Sequence, residues 1–194
     1  MNALSRKLRA LRRVWPFETE RVLDVACGWG TYLAHFGPGS YGLDRVPGPA
    51  RARGLEVLER DLDRTGWSRE LPPFESVWLC DALVHLREPA EFLAELRASI
   101  DAGTRVVVVE WVAPERGWIR GRLADAVPGA RAHWRHPEHL HRFTARGLEQ
   151  LLGAQGLAVE RCWLHSLPGL LREPPLARAF LPWLPPRTWL ARGR

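Results

Sequence analysis

Several residue types are scarce in this chain, and each scarcity narrows what it can be. Of 28 basic residues only Lys7 is a lysine, Asn2 is the only asparagine, and Gln150 and Gln155 are the only glutamines. A GC-rich, heat-adapted background that avoids thermolabile amides accounts for this. So does an arginine surface that attracts phosphates, and the net charge of +6 fits both. The three cysteines, Cys27, Cys80 and Cys162, are odd in number and far apart. That excludes a disulfide framework and indicates a reducing compartment. Long apolar runs are missing as well: "VVVVEWVA", residues 106–113, is too short and too charged to span a bilayer. No apolar core or small-residue cleavage site follows the early arginines, so no secretion signal is expected and the cytoplasm is the expected location.

What remains is the material of one globular domain. At 194 residues the chain is long enough to bury a core unaided. Strand-like apolar runs recur at "RVLDVA", "SYGLD", "EVLERD", "FESVWLC" and "RVVVVEW". Helical patterns separate several of them. The clearest is "EPAEFLAELRASI", where Phe92, Leu93, Leu96 and Ile100 share a face and Gly103 follows. Such alternation predicts an α/β fold with a mostly parallel sheet covered on both faces. Later, "TARGLEQLLGAQG" and "LAVERCWLHS" predict one more helix and strand, and "RTWLARGR" a last short strand. Residues 1–15 form a basic amphipathic pattern, with Leu4, Leu8, Leu11 and Trp15 on one stripe.

Chemistry concentrates first at "VLDVACGWGTYL", residues 22–33, an apolar run broken by Ala26, Gly28 and Gly30. A turn of this form brings the backbone close to a nucleotide. A nicotinamide site calls for a third glycine, but Thr31, Tyr32 and Leu33 follow Gly30, which argues against a dehydrogenase. A phosphate-binding P-loop is excluded because no Gly-Lys-Ser/Thr follows.

The order of motifs resembles the class I S-adenosylmethionine-dependent methyltransferases over most of the chain. "VLDVACGWG" is similar to the family's first motif, with Ala26 where many members carry glycine. "YGLD" resembles the second, ending in Asp44, and "ERDLDR" the third, with Asp61 after the strand. "FESVWLCDALVHLREPAEFLAELRASI" resembles the fourth strand and its helix, and "HLHRFTARGLEQLLGAQGLAVE" looks like the branch that includes quinone-biosynthesis and natural-product enzymes. The resemblance implies a Rossmann-like seven-stranded, mostly parallel sheet with helices on both faces and the last strand antiparallel. It also implies S-adenosylmethionine as cofactor, held by Asp24, Ala26, Gly28, Gly30, Asp44, Arg45, Asp61, Leu62, Leu79 and Cys80.

The residue types suit those roles. A carboxylate at the end of the second strand can accept from both ribose hydroxyls, and Asp44 stands 16 residues after Gly28. Asp61, in competition with Asp63, can accept from the adenine amine. Gly28 and Gly30 remove side chains where the methionine part passes. Leu79 and Cys80 offer main-chain groups, while Asp24 either orients the turn or touches the cofactor.

A hydroxyl acceptor must lose its proton, which suits histidine near neutral pH. Four histidines cluster at His133, His136, His139 and His141. In the resembled branch a histidine before "RFT" faces the substrate, so His139 and His141 are the catalytic candidates. His85, in "VHL" where the family often has Glu-His-Leu, reads as structural. The histidine spacing of three, three and two, broken by Pro137 with no cysteine nearby, predicts no metal.

Acceptor contacts are expected from residues 112–143 and 166–186, rich in tryptophan, leucine and arginine. They point to a small, partly apolar acceptor, lipid-like or quinone-like, methylated on oxygen. The basic first segment is consistent with transient membrane-surface contact, or with simple packing of its leucines on the sheet. Nucleic acid is disfavoured: no RNA-binding module is visible, and "LCDAL" lacks the Asn/Asp-Pro-Pro-aromatic motif of amino-group nucleic-acid methylators. The alternative is a non-catalytic binding or partner module on the same fold.

Overall fold

Each apolar run of the first half becomes a strand because its residues alternate between two buried faces. In a computed structural model that describes residues 21–110, 112–113, 136–164 and 187–193, the runs are β1 (Val22–Val25), β2 (Tyr41–Asp44), β3 (Val57–Glu59), β4 (Ser76–Cys80) and β5 (Arg105–Glu110). The expected later strands are β6 (Leu157–Leu164) and β7 (Arg187–Gly193). They form one seven-stranded sheet in the order β3-β2-β1-β4-β5-β7-β6. The first five strands are parallel, and β7 runs antiparallel to both β5 and β6. Helices are α1 (Gly48–Arg51), α2 (Pro89–Ala98) and α3 (Ala145–Ala154). The basic segment 1–15, residues 166–186, most of 112–143 and His133 lie outside the described residues.

Period-two alternation sorts the core. Leu23 and Val25, Val77 and Leu79, Val106 and Val108 point to one face, where they meet Phe92, Leu93 and Leu96 of α2 and Leu148 and Leu152 of α3. Val22, Trp78, Val107, Val109 and Leu190 point to the other, against Tyr32 and Phe36. Thr144 starts α3 as its N-cap, its hydroxyl accepting from the Gly147 N–H at 3.0 Å. The indole of Trp189 on β7 donates to Glu149 of α3 at 3.0 Å, tying the antiparallel corner to its helix.

One expectation is reduced. The residues after Gly30 carry helix-forming apolar side chains, but only a single 3-10 turn forms, Leu33–His35. Phe36 is extended, Pro38 cannot continue a helix, and Gly39 takes a positive φ of 74°, so the chain turns directly into β2. Strand order reverses at β1, which has β2 on one side and β4 on the other. The carboxyl ends of β1 and β4 therefore open the crevice in which ligands sit in sheets of this kind.

Candidate active site

The turn after β1 is built from three left-handed residues. Ala26, Gly28 and Gly30 have φ of 54°, 53° and 67°. For Ala26 this costs about 1 kcal/mol that glycine would not incur. The two glycines do different work. A Cβ on Gly28 would meet nothing within 4 Å, so its open side faces the crevice. A Cβ on Gly30 would lie 2.3 Å from Leu55 Cδ1 and 3.3 Å from Ala50 Cβ. Gly30 thus lets the turn pack against α1 and the residues after it, a structural use that the motif alone does not distinguish from contact with a cofactor.

Asp44 closes β2 and holds the turn from outside. Its Oδ2 accepts from the Gly28 N–H at 2.7 Å, and its Oδ1 accepts from the Val46 N–H at 2.8 Å. Each oxygen retains a lone pair, so the half-buried carboxylate can still accept from a diol. Asp24 lies inside, 2% exposed, with Oδ2 lacking a hydrogen-bond partner. Burial pushes its pKa up to about 8, against a hydrogen bond from the Leu33 backbone and with a further push from Asp44. It orients the 3-10 turn with one oxygen and presents an orphaned oxygen with the other.

The remaining predicted cofactor residues are spread along the same strand ends. Asp61 is half-buried and pairs with Arg64 at 3.1 Å. Asp63 instead accepts from the Arg87 N–H at 2.8 Å, which anchors it to the loop after β4. Arg45 is exposed and Leu62 packs partly buried against the main core. Leu79 is fully buried in β4. Cys80 is half-buried beside Tyr32 and hydrogen-bonded to it. The Tyr32 hydroxyl is raised by burial first and by Cys80 next.

Sequence position alone conceals how the histidines are arranged. Segment 136–143 docks on the loop after β4: Leu140 N–H donates to the Val84 carbonyl at 2.7 Å, and Ala113 N–H to the Phe143 carbonyl at 2.7 Å. This puts the His139 ring 4.6 Å from that of His85, and the His136 ring 4.8 Å from that of His139. His141 turns another way. Its Nε2 donates to the Leu86 carbonyl at 2.8 Å and its ring stacks on Phe143. The two catalytic candidates are thus separated, and His85 joins His139 at the crevice.

One buried acid beside the candidate site was not singled out in the sequence: Glu110, at the end of β5. Its side chain is wholly buried and its Oε1 accepts from the Leu83 N–H at 2.7 Å. Burial raises its pKa well above the carboxylate range, Asp81 adds to the rise, and hydrogen bonds from Leu83, Ala82 and Val84 oppose it. The signal was a lone charge ending "RVVVVE", which no turn or motif rule explains.

The open side of Gly28 and the spare lone pairs of Asp44 together suit a ribose-bearing ligand at the β1 turn. The family model described as a methyltransferase domain matches residues 2–161. No match by sequence is found among curated proteins. Among solved structures, a SAM-dependent methyltransferase from Archaeoglobus fulgidus is 16% identical with a TM-score of 0.66, covering 96% of this chain and 94% of that one. An S-adenosylmethionine-dependent methyltransferase from Mesorhizobium loti is 23% identical with a TM-score of 0.64, covering 96% and 97%. Magnesium protoporphyrin IX methyltransferase from Synechocystis with bound SAH is 16% identical with a TM-score of 0.61, covering 98% and 83%. At these identities the likeness to solved structures is one of fold, and the family rests on the domain model. The chain belongs to the class I S-adenosylmethionine-dependent methyltransferases, with S-adenosylmethionine as its cofactor.

Proposed function

We propose that the protein methylates an oxygen of a small, partly apolar acceptor bound over the carboxyl ends of β4 and β5. The observation that carries this reading is the docking of segment 136–143 on the Val84 carbonyl, which sets His139 beside His85 at the crevice. When bound, S-adenosylmethionine supplies a methyl group already activated by a sulfonium. The chain's own residues then have two tasks, to hold both reactants and to manage the acceptor's proton. Holding in alignment contributes a large share of the acceleration in such displacements.

On the cofactor side, the assigned residues are Asp24, Ala26, Gly28, Gly30, Asp44, Arg45, Asp61, Leu62, Leu79 and Cys80. Asp44 accepts from the ribose, Gly28 leaves room for the methionine part, and Asp61 accepts from adenine. Asp24 supports the turn from inside the fold. On the acceptor side, His139 takes the proton. His141, whose Nε2 donates to the Leu86 carbonyl, has only Nδ1 left for that role and more directly fixes the segment.

We assign the whole chain to one methyltransferase domain, with residues 112–143 and 166–186 lining the acceptor. Their tryptophans, leucines and arginines favour a lipid-like or quinone-like molecule with an anionic group over nucleic acid, and the branch resembled in the sequence agrees. No helix among the described residues is long and apolar enough to cross a membrane. We place the protein in the cytoplasm; residues 1–15 either pack their leucines on the sheet or make transient membrane-surface contact. A second reading, a non-catalytic binding module, draws on the Asp61 carboxylate being already paired with Arg64.

Calorimetric titration with S-adenosylmethionine and S-adenosylhomocysteine tests the cofactor side. Micromolar affinity, about −8 kcal/mol, lost in Asp44→Ala, is expected; equal binding by Asp44→Ala overturns the geometry. Turnover on quinone and lipid extracts then separates enzyme from module. Unchanged turnover in His139→Ala and in His141→Ala would remove both from the mechanism.

A further inference from the structure

We propose that Asp81, His85 and His139 form a binding site for one divalent first-row transition ion, of the zinc type. Their ligand-capable atoms all lie within 4.8 Å of one another, and all three residues are half-buried. Ligand atoms arranged tetrahedrally at zinc distances stand roughly 3.4 Å apart. Closing that difference calls for rotation of the three partly exposed side chains. Two imidazoles and one carboxylate leave coordination positions open, the pattern of sites that bind a substrate or water beside the protein ligands.

Independent features favour a cation here over a chance meeting of side chains. His85 Nδ1 is 3.1 Å from the Glu138 carbonyl oxygen, which can only accept, so Nδ1 carries the hydrogen and the lone pair sits on Nε2. Backbone-anchored imidazoles of this kind are the usual form of a metal-ligating histidine. Asp81 is held in the left-handed region, φ 57°, directly after β4, and its N–H donates to the Val109 carbonyl at 2.8 Å. Behind it, Glu110 fixes the turn that carries His85 by accepting from the Leu83 N–H. His136 extends the cluster, its ring 6.4 Å from that of His85 and 4.8 Å from that of His139.

The three ligands come from two segments separated by more than fifty residues, which is why histidine spacing within 133–141 predicted no metal. The site's place after β4 also gives the ion a use, and this part rests on the oxygen-methylation reading. An acceptor hydroxyl occupying an open position would lose its proton to solvent at lower pH, as water does on zinc. His139 then serves as a ligand, and the ion takes over the task assigned to it as a base.

The test uses the full chain, stripped of metal with a chelator and titrated with Co2+ followed by visible absorption, and with Zn2+ followed by calorimetry. One ion per chain is expected, with affinity at least tenfold weaker in His85→Ala, in His139→Ala and in Asp81→Asn, and unchanged in His35→Ala. His85→Gln, checked by circular dichroism, covers the case in which His85→Ala fails to fold. Absence of binding to wild type, or wild-type affinity in both histidine variants, overturns the site. S-adenosylhomocysteine binding is measured on the same metal-free samples. Its loss in every sample overturns the methyl-transfer reading, and leaves the ion result to be judged on its own titration.

Discussion

Gly28 and Gly30 stand two residues apart with nearly the same backbone conformation, yet substitution should separate them. Gly28→Ala meets open space, so its cost to folding is the left-handed backbone alone, about 1 kcal/mol. Its methyl group fills the crevice, and S-adenosylhomocysteine affinity should fall at least tenfold. Gly30→Ala drives a methyl into Leu55 and Ala50 and should cost about 2–4 kcal/mol in stability. Chemical denaturation of both variants beside ligand titration checks this. Similar stabilities would mean that the packing of Gly30 on Leu55 relaxes freely. The motif showed that both positions favour glycine; only the packed neighbours show that Gly30 is held against Leu55 and Ala50 while Gly28 faces open space.

At the scale of elements, Glu110 links β5 to the turn that bears His85. Because burial pushes its carboxyl well above the ordinary range, which favours the neutral form, a glutamine of the same shape should replace it with little loss. Glu110→Gln is expected within about 1 kcal/mol of wild type, whereas Glu110→Ala leaves the Leu83 N–H without its acceptor and should cost about 3 kcal/mol. Thermal melts of the two variants decide it, and equal losses would show that charge matters more than shape. Elements were legible in the sequence wherever local pattern suffices. The alternation in "SVWLC" and "RVVVVE" gave β4 and β5, and the apolar stripe of "PAEFLAEL" gave α2. The segment after Gly30 was not, because Pro38 and the return to β2 overrule its helical preference.

For the whole molecule, two buried acids govern how stability varies with pH. Asp24, ordinarily near 3.8, is raised to about 8 by burial, and Glu110 moves in the same direction. Across the interval from the ordinary carboxylate range to about 8, the folded chain keeps protons that the unfolded chain has released. Stability contributed by these groups is therefore fully present at the acid end and lost as pH rises through that interval. Denaturation midpoints should fall between pH 5 and 8, and Asp24→Asn should flatten the fall by removing one of its two sources. A midpoint that rises over that range in wild type would mean that both acids are ionised in the fold.

The sequence by itself determined the sheet's strands, the glycine turn after β1 and the carboxylate that closes β2. These depend on local causes: alternation of apolar residues, glycine where φ is positive, and a carboxylate at the end of a strand. Tertiary structure alone decided which histidines meet. His139 reaches His85 because the Leu140 N–H finds the Val84 carbonyl, while His141 is turned toward Leu86. It alone decided that burial raises the Asp24 and Glu110 carboxyls as well, since the energy of a charge is set by what packs around it rather than by its neighbours in the chain.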